Sequence, residues 1–235
     1  MKIFVLGHKG MLGHMVVKYL QSNNFTIQTT NQRWPLSKEN IRNFTGDYII
    51  NCIGAIPQKT NSFTINYEIP IWLDLNSPCK IIHPGTDYED KSKYGLSKKI
   101  ASNYIYNLGK QTKMLKTSII GPELNTKNSL LEWFLYQQKN VDGYTESMWN
   151  GITTLEWSKQ CLFLINNWEN QKILNILGSK TISKYNLLKI IKKVFKKDIM
   201  IIPKKVGIDK SVKTDIFIKN IETQLLELKK FYYDN

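Results

Sequence analysis

The sequence predicts an α/β protein whose parallel sheet is covered by helices on both faces, and three observations lead there. A short apolar run, Lys2 to Leu6, ends in Gly7 and is followed from Leu12 to Leu20 by apolar residues at helical spacing. Two later strand-like runs also stop at glycine, Tyr48 to Ile53 at Gly54 and Met114 to Ile120 at Gly121-Pro122. Strand-like and helix-like stretches alternate between them, which implies a parallel sheet with ligands at the carboxyl ends of its strands.

Taken in order, Lys2 to Leu6 reads as the first strand and Leu12 to Leu20 as the first helix. The polar turn Ser22-Asn23-Asn24 leads into a second strand, Thr26 to Thr30, and Gly46-Asp47 into a third, Tyr48 to Ile53. Pro70 to Leu75 suggests a short helix, Lys80 to His83 a strand, Tyr94 to Leu108 a long helix and Met114 to Ile120 another strand. Past Val141 the pattern changes. Asp142-Gly143 breaks the chain, Thr153 to Ile165 is helical, Ile173 to Leu177 strand-like and Ile182 to Phe195 helical. This organisation predicts a first domain over 1–142, with 151–166 packing back on it, and a smaller α/β domain over 143–235. No internal repeat or low-complexity tract interrupts it.

A chain of 235 residues can bury one substantial core, and 42% hydrophobic with 22% charged residues is ordinary for a globular protein. The mean hydropathy of −0.33 and the lack of a long apolar run exclude a spanning helix. The opening segment reads as a strand rather than a signal peptide, so a cytoplasmic protein without a membrane partner is expected. Cys52, Cys79 and Cys161 are too few for a disulfide framework and have no zinc spacing with His8, His14 or His83, so no metal is expected. The net charge of +14 invites a nucleic-acid reading. The densest clusters, Lys192-Lys193, Lys196-Lys197, Lys204-Lys205 and Lys229-Lys230, have no interleaved aromatic platform, however. A solvated face is expected and no nucleic-acid partner; such a field also suits a nucleotide cofactor or a nucleotide-linked substrate.

Gly7-His8-Lys9-Gly10-Met11-Leu12-Gly13 lies between the first strand and the first helix, where a phosphate cradle belongs in a Rossmann-type doubly wound fold. The first glycine permits the tight turn, the second lets backbone approach a pyrophosphate, the third allows close helix packing, and the helix N-terminus favours the negative charge. The motif is weak alone but gains weight from the strand before it and the amphipathic helix after it. Behind the second strand the chain reads Thr29-Thr30-Asn31-Gln32-Arg33, with no carboxylate for a ribose hydroxyl. Arg33, with Lys9, suits a 2'-phosphate and so NADPH rather than NADH; the alternative is a solvated arginine beside Trp34.

Tyr94-Gly95-Leu96-Ser97-Lys98 opens the long helix, and the spacing of four puts phenol and ammonium on one face. A free phenol has a pKa of ~10, and a neighbouring cation lowers it, giving an acid able to protonate a carbonyl oxygen as hydride arrives. The same spacing arises by chance in lysine-rich helices, and the glycine loop tips the balance.

The two motifs in this order resemble the extended short-chain dehydrogenase/reductase superfamily. Gly85-Thr86-Asp87-Tyr88, Asn51-Cys52-Ile53-Gly54, Asn66 to Pro70 and Thr117-Ser118-Ile119-Ile120-Gly121 narrow the resemblance to its dTDP-4-dehydrorhamnose reductase branch. Ser129 to Phe134, Gly143-Tyr144-Thr145 and Trp149 to Leu155 are similar to segments of a subgroup of sugar-nucleotide reductases. The resemblance covers almost the whole chain. It implies an NAD(P)H-dependent oxidoreductase with cofactor contacts at Gly7, Lys9, Gly10, Met11, Leu12, Gly13, Arg33, Cys52, Ile53, Gly54, Asn66, Tyr94 and Lys98.

By the same resemblance Thr86 polarises a C4 carbonyl with Asp87 beside it, Tyr94 gives the proton, and Lys98 tunes Tyr94 and holds cofactor. Trp149, Asn150 and Thr153 would line the substrate cleft, although Trp149 as a core anchor and Asn150-Gly151 as a plain turn fit equally. The implied reaction is NADPH-dependent reduction of a dTDP- or UDP-linked 4-keto-6-deoxyhexose, with or without a 2-acetamido group, to a rhamnose-like donor. A non-catalytic regulatory subunit of the same fold is the alternative, and a homodimer stays open. Related 4,6-dehydratases carry glutamate where Tyr88 stands, which favours reduction over dehydration. The chain departs from the branch in its short connection, Tyr88 to Lys93, which leaves open whether Thr86 or Ser92 supplies the hydroxyl.

Overall fold

A computed structural model describes residues 1–86 and 89–234. Its elements in chain order are β1 (Lys2–Leu6), α1 (Met11–Ser22), β2 (Thr26–Thr29), α2 (Lys38–Arg42), β3 (Tyr48–Asn51), α3 (Ile65–Asn76), β4 (Lys80–Gly85), α4 (Lys93–Leu108) and β5 (Thr112–Lys116). There follow β6 (Ile119–Ile120), α5 (Leu130–Tyr136), β7 (Asn140–Tyr144), β8 (Met148–Trp149), β9 (Ile152–Thr153), α6 (Thr154–Asn166), β10 (Leu174–Gly178), β11 (Ile182–Ser183), α7 (Lys184–Phe195), β12 (Met200–Lys204), β13 (Ile216–Phe217) and α8 (Ile221–Tyr232). Among the described residues the largest sheet has seven strands in the order β13-β10-β5-β4-β3-β1-β2. The β2–β1, β1–β3, β3–β4, β4–β5 and β10–β13 pairings are parallel. The fold is the Rossmann-type α/β class that the alternating pattern predicts.

The chain divides into two compact units, Met1–Lys116 with Ser158–Asn175, and Thr117–Trp157 with Ile176–Asn235. The first boundary falls after Lys116, not near 142, and the returning segment is 158–175 where 151–166 was expected. The run Met114 to Ile120 explains the difference. It has continuous strand propensity, yet the chain leaves the sheet at Thr117-Ser118, so that β5 pairs with β4 while Ile119 and Ile120 pair with Ile152 and Thr153. Periodicity cannot register a strand that changes sheets without a turn residue.

In the first unit the central strands are buried on both faces, so they read as unbroken apolar runs rather than alternating ones. Phe4, Leu6, Ile49 and Ile81 share one face and pack with Ile41, Ile69 and Leu73 from α2 and α3. α3 begins five residues before the expected Pro70 and carries that proline within it. Phe63 and Thr64 carbonyls accept the first amides of the helix, from Asn66 at 3.0 Å and Glu68 at 2.9 Å. At its far end the buried Asp74 carboxylate accepts from the Lys110 amide, from Gln111 N–H at 3.1 Å and from Thr112 Oγ1 at 2.7 Å, tying α3 to the start of β5. Asp74→Ala leaves those donors unsatisfied and is expected to lower unfolding stability by about 3 kcal/mol in a denaturant titration.

The second unit is built on short pairings, β7 with β12 and β6 with β9 parallel, β8 with β11 antiparallel. α7 buries Leu187, Leu188, Ile191 and Val194 and is capped by the Ser183 hydroxyl, which accepts from Asn186 N–H at 3.2 Å. Two of the basic residues are paired on the surface of the unit, Lys193 of α7 with Glu222 at 2.6 Å and Lys204 of β12 with Asp142 at 2.7 Å. β12 and α8 lay outside the sequence expectation; Pro203 disguises the strand. Among the described residues no helix is long and apolar enough to cross a membrane.

Candidate functional site

The glycine turn closes on itself as its spacing requires. Gly7 leaves β1 with φ +77°, and a Cβ there would lie 2.9 Å from the Cys52 carbonyl carbon. Gly10 N–H donates to Gly7 O at 2.9 Å. Gly13, in the first turn of α1, meets the same Gly7 carbonyl so closely that a Cβ would sit on the oxygen. Leu12 points into the core, whereas the N-cap Gly10 carries no side-chain hydrogen bond and the first turn no carboxylate. Within α1 itself no side chain compensates the positive end, and amides with glycine backbone fit a pyrophosphate. Beside it, Cys52 N–H donates to Leu6 O at 2.9 Å and Ile53 N–H to Asn51 Oδ1 at 3.1 Å, which sets the Cys52-Ile53-Gly54 segment against the turn. Burial pushes the Cys52 thiol well up, so it is an inert lining group.

The loop after β2 is anchored by aromatic packing. Trp34 Nε1 donates to Glu68 at 3.0 Å, the Trp34 and Trp72 rings meet edge to face at 5.2 Å, and Lys38 Nζ stands 4.5 Å above Trp34. Arg33 and Lys9 are exposed and have no ion pair among the described residues. Both cations are thus available to a phosphate. Arg33→Ala is expected to weaken NADPH binding about tenfold and leave NADH binding unchanged, measured by fluorescence titration of both cofactors.

Tyr94 and Lys98 sit on the first two turns of α4, whose N-cap is Ser92. The Ser92 hydroxyl accepts from Gly95 N–H at 3.0 Å and donates to Asp90, so it is committed to the cap. The Tyr94 ring packs edge to face on Phe63 at 5.8 Å. Lys98 is 9% exposed and its Nζ lies 3.4 Å from where a Gly54 Cβ would stand, which places the ammonium against the segment after β3. Burial draws the ammonium down to about 8, with Glu89 opposing.

Asn66 is fully buried and its amide is filled by the protein. Its Oδ1 accepts from Ala55 N–H at 2.7 Å, and its Nδ2 donates to Ala55 O at 3.1 Å and to Ser97 Oγ at 3.0 Å. Ser97 Oγ in turn donates to Tyr94 O at 2.7 Å. Asn66 therefore braces the segment after β3 against the head of α4, where the sequence suggested a cofactor contact. Beneath it, Asn51 Nδ2 donates to His83 Nδ1 at 3.1 Å across neighbouring strands. His83 is held well below its ordinary range by burial and by the Lys98 charge, so it is neutral. Phe63, Ser97 and His83 escaped sequence reasoning as members of this group, since only the β3–β4 register and the α3–α4 packing bring them in. Thr86 follows β4 directly. Asp87 lies outside the described residues.

In the second unit Trp149 is buried, and Asn150 clamps the chain at Val212, donating to its carbonyl at 2.8 Å and accepting from its N–H at 3.1 Å. Thr153 is fully buried, with Oγ1 accepting from Glu156 N–H at 3.2 Å at the head of α6. Asn150 and Thr153 spend these polar atoms on protein groups of the unit, and Trp149 is buried as a core anchor would be.

Sheet order, glycine turn and the Tyr94–Lys98 helix define a Rossmann-type α/β protein of the kind that binds ligands at the carboxyl ends of its strands. Among solved structures the chain is similar over nearly its whole length to dTDP-4-dehydrorhamnose reductases. That of Bacillus anthracis, in complex with NADP, superposes with TM-score 0.78 at 12% identity, covering 98% of this chain and 99% of the other. The one from Clostridium acetobutylicum gives 0.72 at 16%, with the same coverage. A GDP-D-glycero-L-gluco-heptose synthase of Campylobacter jejuni, in the presence of NADPH, gives 0.69 at 12%, covering 98% of both chains. At such identities the likeness carries the fold. No family model and no curated protein matches the sequence.

Proposed function

We propose that the protein is an NADPH-dependent reductase of the C4 keto group of a nucleotide-linked 4-keto-6-deoxyhexose. The observation that carries this is the placing of a buried lysine, one turn beyond a tyrosine at a helix head, against Gly54 and in the same unit as a glycine turn that opens a helix with no carboxylate in its first turn. The likeness to reductases solved with NADP supports it. The turn residues Gly7, Gly10 and Gly13 with the α1 amides would hold the pyrophosphate, Lys9 and Arg33 the 2'-phosphate, and Lys98 a ribose hydroxyl.

The cofactor supplies the hydride. Thr86, with Ser92 committed to the cap, would donate a hydrogen bond to the carbonyl oxygen. Tyr94 would give that oxygen its phenolic proton as the carbon gains hydride, and the Lys98 ammonium would stabilise the phenolate left behind. Aldehyde and ketone chemistry of this kind needs no metal ligand from the chain. The neighbours act on dTDP-, GDP- and UDP-linked sugars by their names, so the base is the open variable, as is a 2-acetamido group. A cytoplasmic location, a homodimer and the supply of a sugar donor for glycan assembly belong to the same proposal.

Its test follows NADPH absorbance as purified protein meets a panel of dTDP-, UDP- and GDP-linked 4-keto-6-deoxyhexoses, with and without the 2-acetamido group. Oxidation with one sugar establishes the reductase and names its substrate. Tight NADPH binding with no oxidation on any sugar rejects the catalytic reading in favour of a regulatory subunit.

A further inference from the structure

Between Thr86 and Tyr94 the short connection carries a carboxylate with an unusual setting. Glu89 Oε1 accepts from Ser102 Oγ at 2.5 Å and pairs with Lys116 Nζ at 2.7 Å. Ser102 is buried on α4, one turn beyond Lys98 on the same face, and Lys116 ends β5. The side chains of this pair are only 12% and 17% exposed, whereas Lys80–Glu169 shows 41% and 82% and Lys193–Glu222 74% and 38%. Those surface pairs are screened by water and contribute little. Glu89 sits where the effective dielectric is lower and a charge reaches further.

The groups around Lys98 leave this carboxylate a definite task. From its own helix come Tyr94 and Ser97, from the segment after β3 Gly54, and from α3 the amide of Asn66. From β4 comes His83, which is neutral and gives no countercharge. Burial favours loss of the Lys98 proton, and among the described residues Glu89 is the charge that acts to retain it.

We propose that Glu89 is a positioning residue for Lys98: held between Ser102 and Lys116, its carboxylate keeps the buried ammonium charged beside Tyr94. The proposal rests on the reading of Lys98 as the partner of Tyr94 in the proposed reaction. Its physical core concerns the cofactor-free protein and can be measured there. Neutral Lys98 would neither stabilise a phenolate nor hold a ribose hydroxyl through a charged donor, so the pH range of the reaction would be set from the short connection.

The experiment titrates the Lys98 Nζ directly, by NMR of protein labelled with 15N-lysine, its resonance identified by its loss in Lys98→Met. The wild type is expected to titrate near pH 8. Glu89→Gln, which keeps an acceptor for Ser102 and loses the charge, should lower that midpoint by at least about half a pH unit. Lys116→Met, which removes the competing cation, should raise it. A purely structural clamp would move neither, or both the same way, and either result overturns the proposal. Should Glu89→Gln fail to fold, Glu89→Asp decides, because its shorter carboxylate must shift the midpoint down by a smaller amount. In the kinetic arm the basic limb of kcat/KM for NADPH oxidation should move with the NMR midpoint. A moved midpoint with an unmoved limb keeps the Glu89 effect and removes Lys98 from the reaction, which tells against the mechanism above rather than against the charge coupling.

Discussion

Tyr94→Phe is expected to lower kcat by about a thousandfold while NADPH binds with unchanged affinity. The substitution deletes one oxygen and leaves the ring, so the edge-to-face contact with Phe63 survives and α4 keeps its head. What disappears is the proton donor, and general acid catalysis of this kind contributes roughly 10²–10⁴-fold. Because the loss falls on the transition state alone, kcat and kcat/KM should fall together, and fluorescence titration should return the wild-type Kd. Wild-type turnover in this variant would remove Tyr94 from the mechanism and direct attention to Thr86.

Gly13→Ala is expected to be the most damaging single methyl group in the first unit. Its Cβ would stand on the Gly7 carbonyl oxygen, a backbone atom that no rotamer change can move aside. Gly7 is itself fixed by Leu6 and by the Cys52 backbone beneath it, so α1 must shift away from the turn. Overpacking of this kind costs about 1–3 kcal/mol of stability. Displacing the helix end by an ångström should also weaken NADPH binding on the order of a hundredfold. Thermal unfolding and cofactor titration on one preparation measure both, and wild-type affinity would show that the helix end is not the phosphate cradle. Gly10→Ala is the control for stability alone, because its Cβ would meet Gly7 O at 3.3 Å, a contact that a small adjustment relieves.

How much could be read from the sequence depended on how local the cause was. The first βαβ unit was legible because its signals lie within a few residues: an apolar run into Gly7, a glycine spacing, then helical periodicity. The Tyr94–Lys98 pair was legible for the same reason, as four residues on a helix are one turn. The start of α3 was not, because Pro70 marks a helix start by local rules, while the earlier turn, closed on the Phe63 and Thr64 carbonyls, is also anchored through the Asn66 side chain by Ala55 and Ser97. The split between β5 and β6 was hidden inside a run of uniform strand propensity. Asn150 has the chemistry of a ligand contact, and its partner at Val212 follows from tertiary placement alone, whereas the Thr153 bond to Glu156 N–H is a local cap three residues long at the head of α6. Glu89 shows no sequence signal at all, since its partners Ser102 and Lys116 lie 13 and 27 residues away.

One turn of α3 carries both Asn66 and Glu68. The first is bonded to Ala55 and to Ser97 at the head of α4; the second receives the indole N–H of Trp34, next to Arg33. The residue proposed to choose between phosphorylated and unphosphorylated cofactor and the residue proposed to deliver the proton are therefore gauged from a single fixture. Re-engineering cofactor preference by exchanging side chains at Arg33 should leave the proton donor in register. Re-engineering it by rebuilding the loop around Trp34 would tug on Glu68, and through that turn misalign Tyr94 as well.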